Sequence, residues 1–330
     1  MKKHHRDFLI LLAVGLFVLL GLAFILHARI INSYMGRLIM LGAINTIVAL
    51  SLNLITGFTG QLALGQAGFV GLGAYTTAIM TSAGIPLPFA LVGAVLVAAL
   101  GGFLIGWPSL RLRGDYLAIM TLGFGEILRS IITNLTPITG GASGFKDIPP
   151  FMPDPDMNRI VGFFWIFGLM LVVIALVSNL IRSSHGRALI SIREDETASN
   201  SMGINIALTK IGAFTLSAGI AGLGGALQAP FLNYLAPSSF DFLKSVDIVV
   251  IIVLGGMGSI TGTVISAFTL TFLQELLRFL RDYRTVIYPL LMILMMLFRP
   301  QGILGKHEWS ITGFFDRLKK LRSPKEKPHG

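Results

Sequence analysis

Stretches of about 20 consecutive apolar residues recur along almost the whole chain, and each is long enough to cross the hydrocarbon core of a bilayer as a helix. They fall at 8–26, 38–56, 63–84, 87–107, 116–133, 161–181, 210–229, 245–257, 260–277 and 286–304, with 245–257 the shortest. This pattern predicts an all-α, polytopic membrane protein of about ten transmembrane helices. Composition agrees: 54% of residues are hydrophobic and 13% are charged, with a mean hydropathy of +0.78. A globular domain carries about 25% charged residues, so water is the wrong solvent for this surface. The first run is longer than a signal-peptide core and lacks a small-residue cleavage site after it, so it reads as an uncleaved first helix.

The net charge of +10 is concentrated at the ends, in Lys2, Lys3 and Arg6 and in Lys319, Lys320, Arg322, Lys325 and Lys327. Basic flanks of this kind mark cytoplasmic segments of membrane proteins rather than a nucleic-acid surface. The expected division is a cytoplasmic basic N-terminus at 1–7, a transmembrane domain at 8–304 with a cytoplasmic loop at 182–209, and a cytoplasmic basic tail at 305–330. Arg111 and Arg113 then lie inside, and the proline-rich segment 134–160 lies outside. Arg29, Arg37 and the group Arg278, Arg281 and Arg284 run against the positive-inside bias, because the same count places them outside.

Several chemistries are missing. Cysteine is absent, and the histidines are not spaced as metal ligands apart from adjacent His4 and His5, so neither a metal nor a cofactor is expected. No phosphate-cradling G-x-x-x-x-G-K-[ST] run occurs; Gly302, Gly305 and Lys306 have the wrong spacing and no hydroxyl follows. Nucleophile elbows are missing too. The chain reads as a transport subunit without catalytic residues. Ion-coupled transporters carry ionisable groups deep in the bilayer. Here Glu126, Asp247 and Glu275 each have a basic residue three positions away, at Arg129, Lys244 and Arg278. Such pairs share a helix face and partly neutralise each other. Glu126 is the deepest of the three and a candidate for the transport path.

Two glycine-rich stretches interrupt the apolar pattern, one in each half. One holds Gly57, Gly60, Gln61, Gly65, Gln66 and Gly68; the other holds Gly255, Gly256, Gly258 and Ser259. Dense glycine weakens a helix and frees backbone groups, which a membrane tolerates only against protein or a watery cavity. Interrupted helices at matching places in two halves point to a transport path. The plainer alternative is close helix packing through small residues.

The loop 182–209 is the most informative polar segment. It predicts a short helix with Glu194, Asp195 and Glu196 in its first turn, where the helix dipole favours carboxylates. Ala198, Ser201 and Met202 can share one face, and Gly203 stands where a C-cap would end the helix. A short cytoplasmic helix between spans is a docking surface; a solvated loop is the alternative.

The run from Arg193 to Asn205, followed by Lys210-Ile-Gly-Ala-Phe and by Ala218-Gly-Ile-Ala-Gly-Leu-Gly-Gly-Ala226, resembles the coupling loop of ABC-importer permeases. It is most similar to the LivM-type, branched-chain amino-acid family. The likeness extends to Ser51–Gly57, Gly60–Phe69, Gly114–Gly123, Gly140–Gly144 and Leu254–Gly262, covering about 45 to 300. One departure stands out. The general pattern E-A-A-x-x-x-G, counted back from Gly203, meets Thr197, Ala198 and Ser199, with Glu196 one place early. Which acid touches the ATPase is therefore open. The resemblance implies a type II importer-like permease of two related halves in a bacterial inner membrane. It implies a heterodimer with a second permease subunit, two ABC ATPase subunits docked on Arg193, Glu194, Asp195, Glu196, Ala198 and Gly203, and an extracytoplasmic binding protein delivering leucine, isoleucine or valine. Urea, short amides or other amino acids remain open as cargo. An ion-coupled secondary transporter and a non-transporting membrane scaffold remain as rivals from other classes.

Overall fold

The computed structural model describes residues 32–109 and 114–278, together with the isolated positions 290, 293 and 297. The spans expected at 8–26 and 286–304 and both basic ends lie outside the described residues, apart from those three positions. Within the described part the chain is helical. Its order is α1 (Ser33–Leu52) continuing into a π-helical turn (Asn53–Phe58), then α2 (Gln66–Ser82), α3 (Leu87–Ser109), α4 (Asp115–Asn134) and the short α5 (Thr136–Thr139). There follow α6 (Pro155–Arg182), α7 (Ser184–Glu194), α8 (Glu196–Ser201), α9 (Ile206–Leu232), α10 (Phe242–Gly255) and α11 (Ile260–Leu276). Five helical segments among the described residues are long and apolar enough to cross a membrane: Ser33–Phe58, Leu87–Pro108, Tyr116–Asn134, Met157–Arg182 and Ile206–Leu232. At 1.5 Å per residue, α10 is about 21 Å long and falls short of a bilayer core of about 30 Å. The chain is thus an all-α, multi-pass membrane protein.

One shift against the apolar pattern lies at 63–84. That run begins at 63, but helix α2 begins at Gln66, and the residues before it are non-helical. Burial there is against protein rather than in a helix.

Helix α9 is the hub, packing against α1, α2 and α3. Its middle is built of glycine and alanine, which is what lets three helices approach one. A Cβ on Gly222 would stand 2.3 Å from the Cβ of Ala98 on α3, and one on Gly224 would stand 2.5 Å from a methyl of Val48 on α1. On Gly225 it would meet the carbonyl oxygen of Val70 on α2 at 1.9 Å. Without a hydrophobic drive between helices in lipid, association rests on such close backbone approach. Around this hub lie buried large side chains, among them Ile47, Leu50, Phe163, Phe214 and Leu227.

One end of the bundle is knitted by its connections. Phe145 and Leu235 form an isolated antiparallel bridge, with N–H to O distances of 2.8 and 3.0 Å. Asn233 donates its side-chain amide to Ile148 O at 3.0 Å, and Tyr75 donates its hydroxyl to Leu235 O at 3.2 Å. Of the basic residues that run against the positive-inside bias, Arg37 and Arg278 are among the described residues and are held near this end. Arg37 lies over the Phe231 ring, 5.7 Å from its centroid, and Arg278 pairs with Glu275 at 3.1 Å. At the other end lies the 182–209 segment.

Gly225→Ala drives a methyl group into the α2 backbone, an overpacking that costs about 1–3 kcal/mol. Gly212, on the same helix, has open space around it, so Gly212→Ala gains helix propensity worth up to about 1 kcal/mol. Thermal unfolding of the detergent-purified protein is expected to move in opposite directions for the two variants. Equal shifts would refute the hub role of the Gly225 contact.

Candidate functional site: the helix breaks and the segment that touches them

The two glycine-rich stretches, some two hundred residues apart in sequence, meet each other. Helix α1 loosens into the π-helical turn at Asn53, which is wholly buried. The Asn53 side chain spans the gap to the α10–α11 junction. Its amide nitrogen donates to Ser259 O at 3.0 Å and to the Thr263 hydroxyl at 2.9 Å. Its oxygen accepts from the Gly258 N–H at 2.9 Å. A Cβ on Gly57 would stand 1.8 Å from that same oxygen, so glycine there leaves room for the latch. The Ser259 hydroxyl accepts from Gly262 N at 3.1 Å and starts α11.

After the π turn, Gly60 takes a left-handed conformation, φ +74°, which costs glycine nothing. The chain then runs without helical bonds to Gln66, along the side of α4. Leu64 N–H donates to the Thr121 hydroxyl at 3.0 Å, and Ala67 N–H donates to the Ser245 hydroxyl of α10 at 3.1 Å. Gln66 is buried and donates to the hydroxyls of Ser51 at 2.7 Å and Ser217 at 3.2 Å. Gln61 is buried as well, and its backbone N–H closes on Ile55 O at 3.2 Å. Gly57, Gly65, Gly68, Gly255, Gly256 and Ser259 are buried, Gly258 is half-buried, and Gly60 is exposed. In this conformation both stretches are therefore packed against protein.

The 182–209 segment differs from the single helix expected of it. It holds two helices, α7 and α8, with an extended residue between them: Asp195 at φ −157° and ψ 112°. The Asp195 carboxylate accepts from the N–H groups of Thr197 at 2.7 Å and Ala198 at 3.0 Å, so it caps α8 rather than lying within its first turn. Glu194 closes α7 and is exposed. Glu196 opens α8 and pairs with Lys210, whose side chain is buried at the start of α9. Gly203 follows α8 at φ +82°, the left-handed residue that ends a helix. Ala198, Ser201 and Met202 share the exposed side, Met202 at 83% exposure, while Ser199 turns inward. Arg193 points the other way, into the protein. Its guanidinium donates to Gly57 O at 2.7 Å.

Glu126 lies apart from this cluster, half-buried on α4, with Arg129 bonded to it at 2.7 Å. It borders a crevice shared with Leu64, Gly68, Phe240 and Ser245, so it neighbours the non-helical stretch without touching the Asn53 latch. Among the described residues no group of three His, Asp or Glu side chains could hold a metal.

Asn53, Lys210, Thr121 and Ser245 were not singled out from sequence. Asn53 carried a signal, since a buried amide inside an apolar span must find partners. Lys210 carried none, because its burial depends on where α8 folds back.

Replacing Asn53 with leucine keeps the volume but leaves the Gly258 N–H without its partner, at about 1–3 kcal/mol, while Ser259 O keeps the Thr263 hydroxyl and N–H. Asn45, half-buried, bonds through its side chain only the Thr271 hydroxyl among the described residues, at 3.0 Å. The thermal midpoint is expected to fall further for Asn53→Leu than for Asn45→Leu. The reverse order would count against the latch.

Comparison with known proteins completes the site. Residues 34–298 match the family described as branched-chain amino acid transport system / permease component. The chain is 40% identical over 284 residues to the high-affinity branched-chain amino acid transport system permease protein LivM of Salmonella typhimurium, covering 78% of this chain and 67% of that one. LivM of Escherichia coli K12 is similar to the same degree, 40% over 284 residues with the same coverage. LivH of Escherichia coli K12 is 26% identical over 308 residues, covering 90% and 91%. No solved structure matches the chain. With a family match over most of its length and relatives at this identity, the chain belongs to the branched-chain amino acid transport permease family.

Proposed function

We propose that this chain is a membrane-spanning permease subunit of an ATP-driven importer that carries leucine, isoleucine and valine. The observation that carries the reading is the family match along residues 34–298 together with 40% identity to two permeases bearing that substrate in their names. In this reading the subunit sits in a bacterial inner membrane with both termini in the cytoplasm. It pairs with a second, related permease; the likeness to LivH is the relationship such a pair would have. Two ABC ATPase subunits supply the energy, since the chain has no phosphate-cradling loop of its own. An extracytoplasmic binding protein supplies the amino acid.

The ATPase docks on α8. Its exposed side, with Ala198, Ser201 and Met202, and the flanking Glu194 and Asp195 form a protruding ridge, and Gly203 ends it. Glu196 serves mainly to hold that ridge to α9 through Lys210. The acid facing the ATPase is then Glu194, which is 68% exposed.

The two glycine-rich stretches close the transport path at the end nearest α8. Their backbone groups are satisfied by Asn53, Arg193, Thr121 and Ser245 in the closed arrangement, and they part when the coupling segment moves. Glu126 and Arg129 stand beside the route on α4. Neither stretch carries a charged residue, which suits a gate that must not retain a zwitterion.

Two experiments test this reading. In proteoliposomes holding the assembled transporter, ATP-driven uptake of labelled leucine is expected with its binding protein, and this chain alone is expected to hydrolyse no ATP. Uptake of urea or a short amide in place of leucine would change the cargo, and hydrolysis by the lone chain would overturn the subunit assignment. The chain has no native cysteine, so single cysteines at 57–68 and 255–259 can be probed with water-soluble thiol reagents. Reactivity is expected to be low without nucleotide and to rise in an ATP-trapped state. If all stay inert in both states while 134–160 reacts, these stretches are packing seams and the path lies elsewhere.

A further inference from the structure

We infer that Arg193 is the link that carries movement of the ATPase-docking segment to both helix breaks, a role that rests on α8 being the docking element. The geometry is specific. Arg193 is the penultimate residue of α7, three positions before α8 begins, and its side chain turns away from the exposed ridge into the protein. Its stem lies across Gly60: a Cβ there would stand 2.9 Å from the Arg193 Cγ and 3.4 Å from its Cβ. Its guanidinium donates to Gly57 O at 2.7 Å. The same nitrogen lies 3.0 Å from where a Cβ on Gly258 would be. One side chain thus touches the break after α1 and the break between α10 and α11.

Chemistry explains why arginine suits the position. Gly57 O is a carbonyl in a π-helical turn, close to the Asn53 latch that accepts the Gly258 N–H. A guanidinium presents several donors in a rigid plane, so it can hold a carbonyl while its flat face packs against an adjoining backbone. The nearest acid, Glu194, is 3.8 Å from Nε and mostly exposed, so it competes weakly for the group. The other attachment of this segment, Glu196 to Lys210, fixes α8 to α9. Arg193 leads instead to the loops, where backbone is held by a few hydrogen bonds and can rearrange at small cost. A displacement of α8 by an ATPase therefore reaches both breaks through Arg193, beside the buried packing of Leu189 and Ile192 on α7. Glycine at 60 and 258 follows from the same packing: any side chain at either position would displace the link.

The test uses the assembled transporter in membranes. In Arg193→Met the stem remains and the donors are lost. ATPase subunits are expected to co-purify in wild-type amounts and hydrolysis to stay within about twofold, while leucine uptake falls about tenfold or more. Wild-type uptake would overturn the link. Loss of the ATPase subunits would overturn it as well and make Arg193 a docking residue, leaving the α8 reading intact. A parallel fall in hydrolysis and uptake with the subunits retained also counts against it, because a broken link leaves nucleotide turnover running. A measurement on the chain with native Arg193 keeps the inference testable if that variant does not assemble. Spin labels at Asn200→Cys, on α8 but not among the docking residues, and at Met257→Cys, both exposed positions, report the distance between α8 and the second break. The inferred link requires that distance to hold constant between nucleotide-free and ATP-trapped states while the distance from Asn200→Cys to Leu232→Cys changes. An Asn200–Met257 distance that changes, or an Asn200–Leu232 distance that does not, refutes it.

Discussion

Backbone polar groups freed inside a membrane have no water to turn to, and this structure depends on how it satisfies them at the two places where its helices stop. A helix that runs the full span answers the problem by itself. Helix α1 does not end cleanly, and α10 is too short to span. Both release carbonyl and amide groups into the bundle. Asn53 answers for two of these groups at once, donating to Ser259 O and accepting from Gly258 N–H, and it also donates to the Thr263 hydroxyl. Arg193 answers for Gly57. Thr121 and Ser245 answer for the strand-like stretch that follows. Each bond is made by a side chain on a different helix, so breaks that would weaken isolated helices instead tie α1, α4, α7, α10 and α11 into one arrangement.

The glycine hub of α9 serves the opposite purpose. Where α9 meets α1, α2 and α3, close backbone approach leaves no slack. Tightly packed interiors switch between discrete arrangements rather than deforming smoothly. The α9 hub with its partners is thus the closely packed part, whereas the pair of breaks is held by side-chain bonds. The segment α7–α8 is anchored to both: to α9 through Glu196 and Lys210, and to the breaks through Arg193.

Much of the fold was legible in the apolar runs. The long described helices overlap the runs from 38–56 to 260–277, because a 20-residue apolar segment in lipid has few choices besides a helix; the short α5, α7 and α8 lie between runs. The interruption at Gly57–Gly68 was legible too, since glycine density is local information. Its partner was not: the meeting of Gly57 with Gly258 needs two distant segments to be brought together, and glycine carries no mark of what it packs against. Asp195 shows the same limit at short range. Three acids in a row read as one helical first turn, but an aspartate side chain is short enough to bond the amides two and three residues on, and that competition broke the segment into two helices. Arg193 entered through the resemblance alone, as one of the docking residues, and the fold turns it inward to Gly57 O.

The proposed docking on α8 makes the rigidity of that helix matter. The chain has no phosphate-cradling loop, and Glu126 is paired with Arg129 one turn away. In the proposed reading the work comes from partner ATPases and is received at the α8 ridge, which is exposed, capped at both ends by Asp195 and Gly203, and tied to α9 through Glu196 and Lys210. Capping matters here because a six-residue helix is too short to be stable alone. Were α8 to fray under load, displacement would be lost in the loop; held as a rigid unit, it passes to whatever Lys210 and Arg193 touch.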